Sequence, residues 1–387
     1  MLVSLFLLLP NELQTLILCE LDFQDVLSLR LTSRPTYQIV CSCESALVRH
    51  YAKHVCTGLE TFLYPPPGPN EATLQYLLDW KHRRNTSQAL SGQLCNFVAR
   101  EILFRNTVKK RRNFEPTWRR MFIKLQPLIF TLNHFFESYR RSLLERCVEY
   151  SEPSQTFQIC NGPALWEDQM QIMETYDPIL LLDLYHCYGF LLQAFERKLR
   201  PPSYATGIER LLRGWTAKPA TTHEIEILLM VGGMDKISHI LSYRTYSERR
   251  NALDTFIRGL YPSLNPHGWR QHWRQLGIDK RIPLDQIPHT QLGIPTLHVI
   301  WVPNALNLLL AKGVIEHVEF GGESSVWSLR DFVSDMVGWD ILRYSAPPPS
   351  MQQQSGSQDQ DGVEDDESEE DESELEDDEE EDVGIEL

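Results

Sequence analysis

The sequence predicts an all-α protein with three short helices at the N-terminus, an irregular helical body and a disordered acidic tail. Apolar residues recur at three- and four-residue spacing through most of the 387-residue chain. The alternation typical of strands is scarce, and its best candidate is the segment 296–302. Hydrophobic residues make up 42% of the chain, which is enough for a sizeable core. Acidic residues are concentrated at the C-terminal end.

Residues 5–57 predict the three N-terminal helices. Pro10 can begin the first helix. The N–H groups of a first helical turn have no acceptor within the helix, so the missing N–H of proline costs no hydrogen bond there. Asp22 can cap the second helix with its carboxylate. Ser33, followed by a proline, marks the start of the third helix. We expect the third helix to bury four side chains: Tyr37, Val40, Ala46 and Leu47.

The segment 58–70 predicts a linker, because the four prolines within residues 64–69 disfavour regular structure. Beyond it, residues 71–345 predict one irregular helical domain without internal repeats, a candidate substrate-recognition domain. Its amphipathic stretches lie at 71–83, 88–107, 117–149, 176–199, 205–214, 224–241, 246–260, 303–312 and 328–343.

Charge divides the chain into two parts. The formal net charge is -16, but residues 347–387 hold 8 Asp, 11 Glu and no Lys or Arg, which leaves 34 acidic against 37 basic residues in residues 1–346. This distribution excludes both a uniformly acidic surface and a strongly basic domain that wraps nucleic acid. Low hydrophobicity and repulsion between like charges predict that residues 346–387 are disordered.

Cysteine usage and hydropathy predict an intracellular protein that does not span a membrane. The eight cysteines are spread thinly, unlike the dense disulfide framework of small secreted domains. No Lys or Arg precedes the apolar run at residues 1–10, so it does not resemble a signal peptide. The apolar segment 178–195 is interrupted by Asp183 and His186, which favours a core helix. We expect the cytoplasm, the nucleus or both; a secreted helical protein is the alternative.

An ordered set of residues in the N-terminal helices resembles the F-box family. The set comprises Leu9–Leu13, Ile17–Leu18, Leu21–Leu31, Ser33–Arg34 and Tyr37. The resemblance is confined to the three-helix segment and implies that this segment is an F-box, which binds a Skp-type adaptor and, through it, a cullin and a RING subunit. The remaining helical body resembles, more weakly, the helical bodies of fungal F-box proteins.

The resemblance implies an adaptor-binding surface made of apolar side chains. A segment this small cannot bury three apolar helix faces within itself, so another surface must cover some of them. The candidate adaptor-binding residues are Leu9, Pro10, Leu13, Ile17, Leu18, Leu21, Leu27 and Leu29. The alternative is that these side chains pack against the protein's own body.

The sequence contains no catalytic motif, and we expect neither a cofactor nor a metal. Cysteine and histidine come closest to metal-ligand spacing between residues 41 and 56, but no second ligand pair follows at zinc-finger spacing. They also fall where the third helix is expected. The family resemblance implies a non-catalytic protein, since the cysteine that carries ubiquitin belongs to another subunit.

Residues 100–124 form the most basic stretch of the chain, and three interpretations are open. The stretch can be a solvated loop, a nuclear-import patch or a nucleic-acid contact. We expect no nucleic-acid contact, because the acidic tail would compete with phosphate. The candidate import patch consists of Lys109, Lys110, Arg111 and Arg112.

Two functions from different classes follow. In the first, the chain is a substrate-receptor subunit of an SCF-type cullin-RING ubiquitin ligase, and its body binds a protein substrate. In the second, it is a nuclear scaffold whose acidic tail binds basic, histone-like partners. Ser368 and Ser373 precede acidic residues and are candidate phosphorylation sites, although the tail can equally serve solubility alone.

Overall fold

The computed structural model describes residues 6–68, 71–149, 163–201, 219–221, 224–225, 228–260, 297–315 and 329–338. Within these ranges all regular structure is helical and no strand occurs, which confirms the all-α class. They lie in one compact unit, Met1–Ile341, and a second unit comprises Leu342–Leu387. The predicted helix at 205–214 and the whole predicted tail, with both candidate phosphorylation sites, lie outside the described residues.

Residues 6–54, which we call the N-terminal block, contain four helices: α1 (Asn11–Glu20), α2 (Phe23–Arg30), α3 (Arg34–Ser42) and α4 (Glu44–His54). The predicted helix starts are confirmed. Pro10 is the N-cap residue of α1, and the Asp22 carboxylate accepts from the N–H of Gln24 at 3.4 Å. Ser33 forms a reciprocal capping box with Thr36 at the start of α3.

The predicted single third helix is wrong, because the chain breaks it into α3 and α4 at Cys43. Cys43 has φ -96° and ψ 0°, and it ends one helix and begins the next. Its side chain is buried, with Sγ 3.1 Å from Thr15 Oγ1. Val40 of α3 and Leu47 of α4 are both fully buried on the two sides of the break, and Ala46, also predicted to be buried, is only partly buried. Tyr37, predicted to be buried, is 46% exposed.

The predicted linker is partly helical. Helix α5 (Gly58–Leu63) begins at a capping box in which Thr57 and Glu60 exchange hydrogen bonds of 2.8 and 3.2 Å. Leu63 is buried in the core of the body. The Thr-x-x-Glu pattern at Thr57 and Glu60 is typical of a helix start, but the prolines that follow favoured the prediction of a linker.

The body is built from eight further helices in the described ranges: α6 (Leu74–Phe97), α7 (Val108–Glu149), α8 (Pro163–Glu174), α9 (Pro178–Lys198), α10 (Gly233–Ser242), α11 (Tyr246–Leu260), α12 (Leu297–Ala311) and α13 (Leu329–Val337). Short π-helical turns follow α6 and precede α10, at Val98–Ile102 and Leu228–Gly232. Helices α6, α9 and α13 pack against α7, and α12 packs against α8 and α9.

Three sequence expectations in the body are wrong. The predicted interruption between 83 and 88 is absent, because α6 is continuous through it. Helix α8 was not predicted. Of the candidate strand at 296–302, the described residues 297–302 belong to α12, where Trp301 is fully buried. Its apolar residues fit a buried helix as well as a strand, and period alone does not separate the two.

Helix α9 confirms the prediction of a core helix. By length and composition alone it could cross a membrane, but half of its apolar window is buried inside the structure. Leu184, Cys187 and Leu191 are fully buried and belong to the core of the body. The Asp177 carboxylate caps its start through the N–H groups of Ile179 and Leu180.

Candidate protein-interaction face and its junction with the body

Helix α1 has the reverse of the usual amphipathic pattern. Leu13, Leu16 and Ile17 lie on one side at i, i+3 and i+4, and they are 47, 61 and 41% exposed. The side that faces inward buries Leu18 and the polar Gln14. Surface helices ordinarily turn their apolar stripe to the core. We call the three outward side chains the α1 face.

The inward polar residue is fully accommodated. Gln14 is 3% exposed, and its Nε2 donates to the carbonyl of Phe6 at 3.0 Å. A buried amide without a partner would cost free energy, and this hydrogen bond removes that cost. The outward orientation of the α1 face is therefore a stable property of the fold.

The structure divides the predicted adaptor-binding residues into three groups. Pro10, Leu13 and Ile17 are exposed. Leu9, Leu21, Leu27 and Leu29 are only partly exposed. Leu18 is fully buried in the core of the N-terminal block, so its assignment to a binding surface is wrong. Leu18 directly follows Ile17, so its side chain points about 100° away from that of Ile17 around the helix axis, toward α4.

Sequence reasoning missed several exposed apolar side chains of the block. Leu8 is 80% and Leu31 is 86% exposed, and Tyr37 is held at the surface with the Arg30 guanidinium 4.9 Å from its ring centroid. The i+3 relation between Leu13 and Leu16 was a signal for the missed Leu16. This spacing predicts a helix, but it does not indicate which side of α1 faces the core.

The core of the block fixes the α1 face in place. Phe23 and Tyr51 meet edge to face with ring centroids 5.6 Å apart, and the Tyr51 hydroxyl donates to the carbonyl of Leu21, just after α1. Burial raises the pKa of Tyr51 to about 12, so the hydroxyl remains a donor at neutral pH. Both aromatic side chains are buried.

Helix α6 belongs to the core of the block and to the core of the body. Near its start, Leu74 and Leu77 pack into the core of the block. Farther along, Leu90 and Leu94 pack into the core of the body. Glu44 of α4 accepts from the N–H of Leu74 at 3.3 Å, which ties the start of α6 to the block.

A partly buried polar network joins α6 to α7 within the body. The Glu137 carboxylate accepts from Arg83 Nε at 2.9 Å, from the Tyr64 hydroxyl at 3.2 Å and from Asn133 at 2.8 Å. The Arg83 guanidinium also lies 4.1 Å from the centroid of the Tyr64 ring. Burial lowers the pKa of Arg83, but the Glu137 carboxylate outweighs burial and the net shift is upward. Arg83 therefore stays charged.

His134 lies beside this network in its neutral form. Its Nδ1 is 2.8 Å from the Tyr176 hydroxyl, and its ring meets the Tyr64 ring edge to face at 5.0 Å. Burial lowers the pKa of His134 to about 4. The folded protein therefore favours the neutral form of His134.

The cysteine and histidine cluster lies in α3 and α4 and in the residues that directly adjoin them. His50 and His54 are neighbours on α4 with ring centroids 4.8 Å apart. Cys41, Cys43 and Cys56 are free thiols, and burial raises the pKa of Cys56 to about 12. Over the described ranges, no group of three or more His, Cys, Asp or Glu side chains is placed to hold a metal ion.

The basic stretch includes the exposed start of α7, so the loop interpretation is wrong for that part. The four residues of the candidate import patch, Lys109 to Arg112, occupy its first turns and are all exposed. No acidic residue lies in the first turn of α7.

The comparisons with known proteins agree with the geometry of the block. A family model for the F-box domain matches residues 6–46, which cover α1, α2, α3 and the start of α4. A search of curated proteins and a search of solved structures found no match. F-box domains are adaptor modules of ubiquitin ligases, they bind Skp-type proteins in SCF complexes, and they are typically non-catalytic. The chain is an F-box domain-containing protein.

Proposed function

We propose that the chain is a non-catalytic substrate-receptor subunit of an SCF-type cullin-RING ubiquitin ligase. The observation that carries the proposal is the outward α1 face, which lies within the matched residues 6–46. Burying a large aliphatic side chain on binding contributes about 1.5–3 kcal/mol. A Skp-type adaptor that covers Leu13, Leu16 and Ile17 therefore gains binding free energy from the burial of these side chains.

The junction supports a positioning role. Helix α6 belongs to both cores, so the block cannot rotate freely against the body. Residues 71–345 then hold a protein substrate at a fixed distance from the adaptor. Ubiquitin transfer gains from this proximity, since a bound lysine reacts as part of the same assembly. The chain itself supplies no reacting group in this proposal.

The second candidate function is a nuclear scaffold that binds basic, histone-like proteins. Two observations favour it: the 19 acidic residues of 347–387 and the exposed candidate import patch on α7. In either function we propose that the protein acts inside the cell, in the cytoplasm, the nucleus or both.

Affinity capture of the full chain from cells tests the proposal. Wild type should retain the Skp-type adaptor and a cullin, and Leu16→Asp should lose both. The matched control is Ile179→Asp, which changes an isoleucine that is 72% exposed at the start of α9. We expect the control to retain both partners. Loss of histones after deletion of residues 347–387, with no adaptor captured by wild type, would support the scaffold instead.

A further inference from the structure

The start of α7 presents four cations that no described carboxylate neutralises. Lys109, Lys110, Arg111 and Arg112 are exposed, and no ion pair joins them to another described residue. Farther along, Arg119 pairs with Glu115 at 3.1 Å and Lys124 pairs with Asp335 at 3.2 Å, whereas Arg120 joins no described carboxylate. Most of the uncompensated positive charge therefore lies in the first turns.

This arrangement is unfavourable for the helix itself. Partial positive charge accumulates at the first turn of an α-helix, so acidic residues are preferred there and basic residues are repelled. The first turn of α7 has no acidic residue, and basic residues follow Val108. A cluster that opposes local stability indicates a role outside folding, because an acidic partner would remove the repulsion.

The cations continue along one side of the helix. Lys109, Arg112, Arg119 and Ile123 lie within about 80° of one another, opposite the buried Phe114 side. We call these four residues the outward face of α7. They span about 21 Å, the length of roughly six or seven extended residues.

The composition of the outward face favours a peptide over nucleic acid. Ile123, 65% exposed, offers an apolar contact at one end. Pro116 lies between the basic residues and has no N–H, so the Arg112 carbonyl lacks its helical donor and can accept from a peptide N–H.

We propose that the outward face of α7 binds an acidic peptide segment of a target protein. This inference rests on the proposed substrate-receptor function, and it names the chemistry of the substrate. Carboxylates of the target pair with Lys109 and Arg112, and one aliphatic side chain of the target packs on Ile123. The α1 face is a separate surface, so adaptor and target bind together.

Fluorescence anisotropy with the full-length protein tests this site. The probe is a labelled eight-residue peptide of Glu with one Leu, and Gln replaces every Glu in its control. The acidic probe should bind wild type, and affinity should fall as salt rises because exposed charges are screened. In the double variant Lys109→Glu, Arg112→Glu, affinity should fall at least about tenfold.

The matched control is Arg49→Glu, Lys53→Glu, which makes the same charge change at exposed bases of α4 and should leave affinity unchanged. Glutamates in the first turns of α7 favour the helix, so misfolding would not explain a loss in the test variant. Adaptor capture by that variant should match wild type, which separates this test from the proposed function. No binding to wild type, equal binding of the Gln probe, or tighter binding of single-stranded DNA would overturn the proposal.

Discussion

At the scale of single residues, α1 shows how adjacent side chains can differ completely in exposure. Ile17 and Leu18 are adjacent in the sequence, but the first is 41% exposed and the second is fully buried. The sequence predicted both as binding residues because the family pattern contains them as a pair. Separating them requires the position of α4, which covers only one side of α1.

Alanine substitutions should separate these roles. We expect Leu18→Ala to lower the free energy of unfolding by about 2–5 kcal/mol, because it leaves a cavity in the core of the block. Leu16→Ala should change it by less than about 0.5 kcal/mol, since that side chain is largely exposed. Chemical denaturation of both variants measures the difference. Equal destabilisation would contradict the buried position of Leu18.

His134 should make stability depend on acidity. Its folded pKa of about 4 lies below the ordinary histidine pKa of 6.5, so the folded state favours the neutral ring. The contribution is complete above pH 6.5 and is lost as pH falls toward 4, by roughly 3 kcal/mol in total.

Denaturation midpoints across this pH range test the assignment. His134→Gln should show a shallower loss of stability on acidification, because the substituted side chain does not titrate. His239→Gln changes an exposed histidine on α10 and should keep the slope of wild type. An unchanged slope in His134→Gln would contradict the buried, neutral ring.

At the scale of elements, the starts of α2 and α3 were predictable, but the starts of α5 and α8 were missed. Asp22 and Ser33 cap the helices that follow them, and a cap depends on residues adjacent in sequence. The break at Cys43 and the continuous α6 depend on distant packing. Residues 297–302 form a helix that the sequence did not predict, because their apolar pattern fits a buried helix and a buried strand equally well.

The polar network between α6 and α7 should contribute to stability. Arg83→Met leaves the partly buried Glu137 carboxylate without its guanidinium, and we expect a loss of about 1–3 kcal/mol. Arg119→Met removes an exposed pair at a similar distance and should cost less than about 0.5 kcal/mol. Urea denaturation compares the two variants. Similar small losses would contradict a structural role for this network.

At the scale of the whole molecule, three features lie in different parts of the fold. The block presents an uncharged α1 face, α6 couples the block to the body, and the uncompensated cations lie at the start of α7. Composition located the 19 acidic residues beyond position 346 without any structure. It could not locate the α1 face, because composition and period leave the inward side of a helix undetermined.

A shared helix predicts cooperative unfolding of block and body. Because α6 contributes to both cores, unfolding one should destabilise the other, and calorimetry should show a single transition. Leu77→Ala, within the core of the block, should lower the Tm of that one transition. Two separate transitions in wild type would show that α6 does not couple them.

The central claim is that the α1 face binds a Skp-type adaptor, and titration calorimetry with purified adaptor tests it most directly. We expect Leu16→Ala, Ile17→Ala to raise the Kd by about 30-fold or more, which corresponds to about 2 kcal/mol. Its Tm should stay close to that of wild type, and Ile123→Ala, Ile179→Ala should bind like wild type. A Kd for the α1 variant within about twofold of wild type would contradict the account.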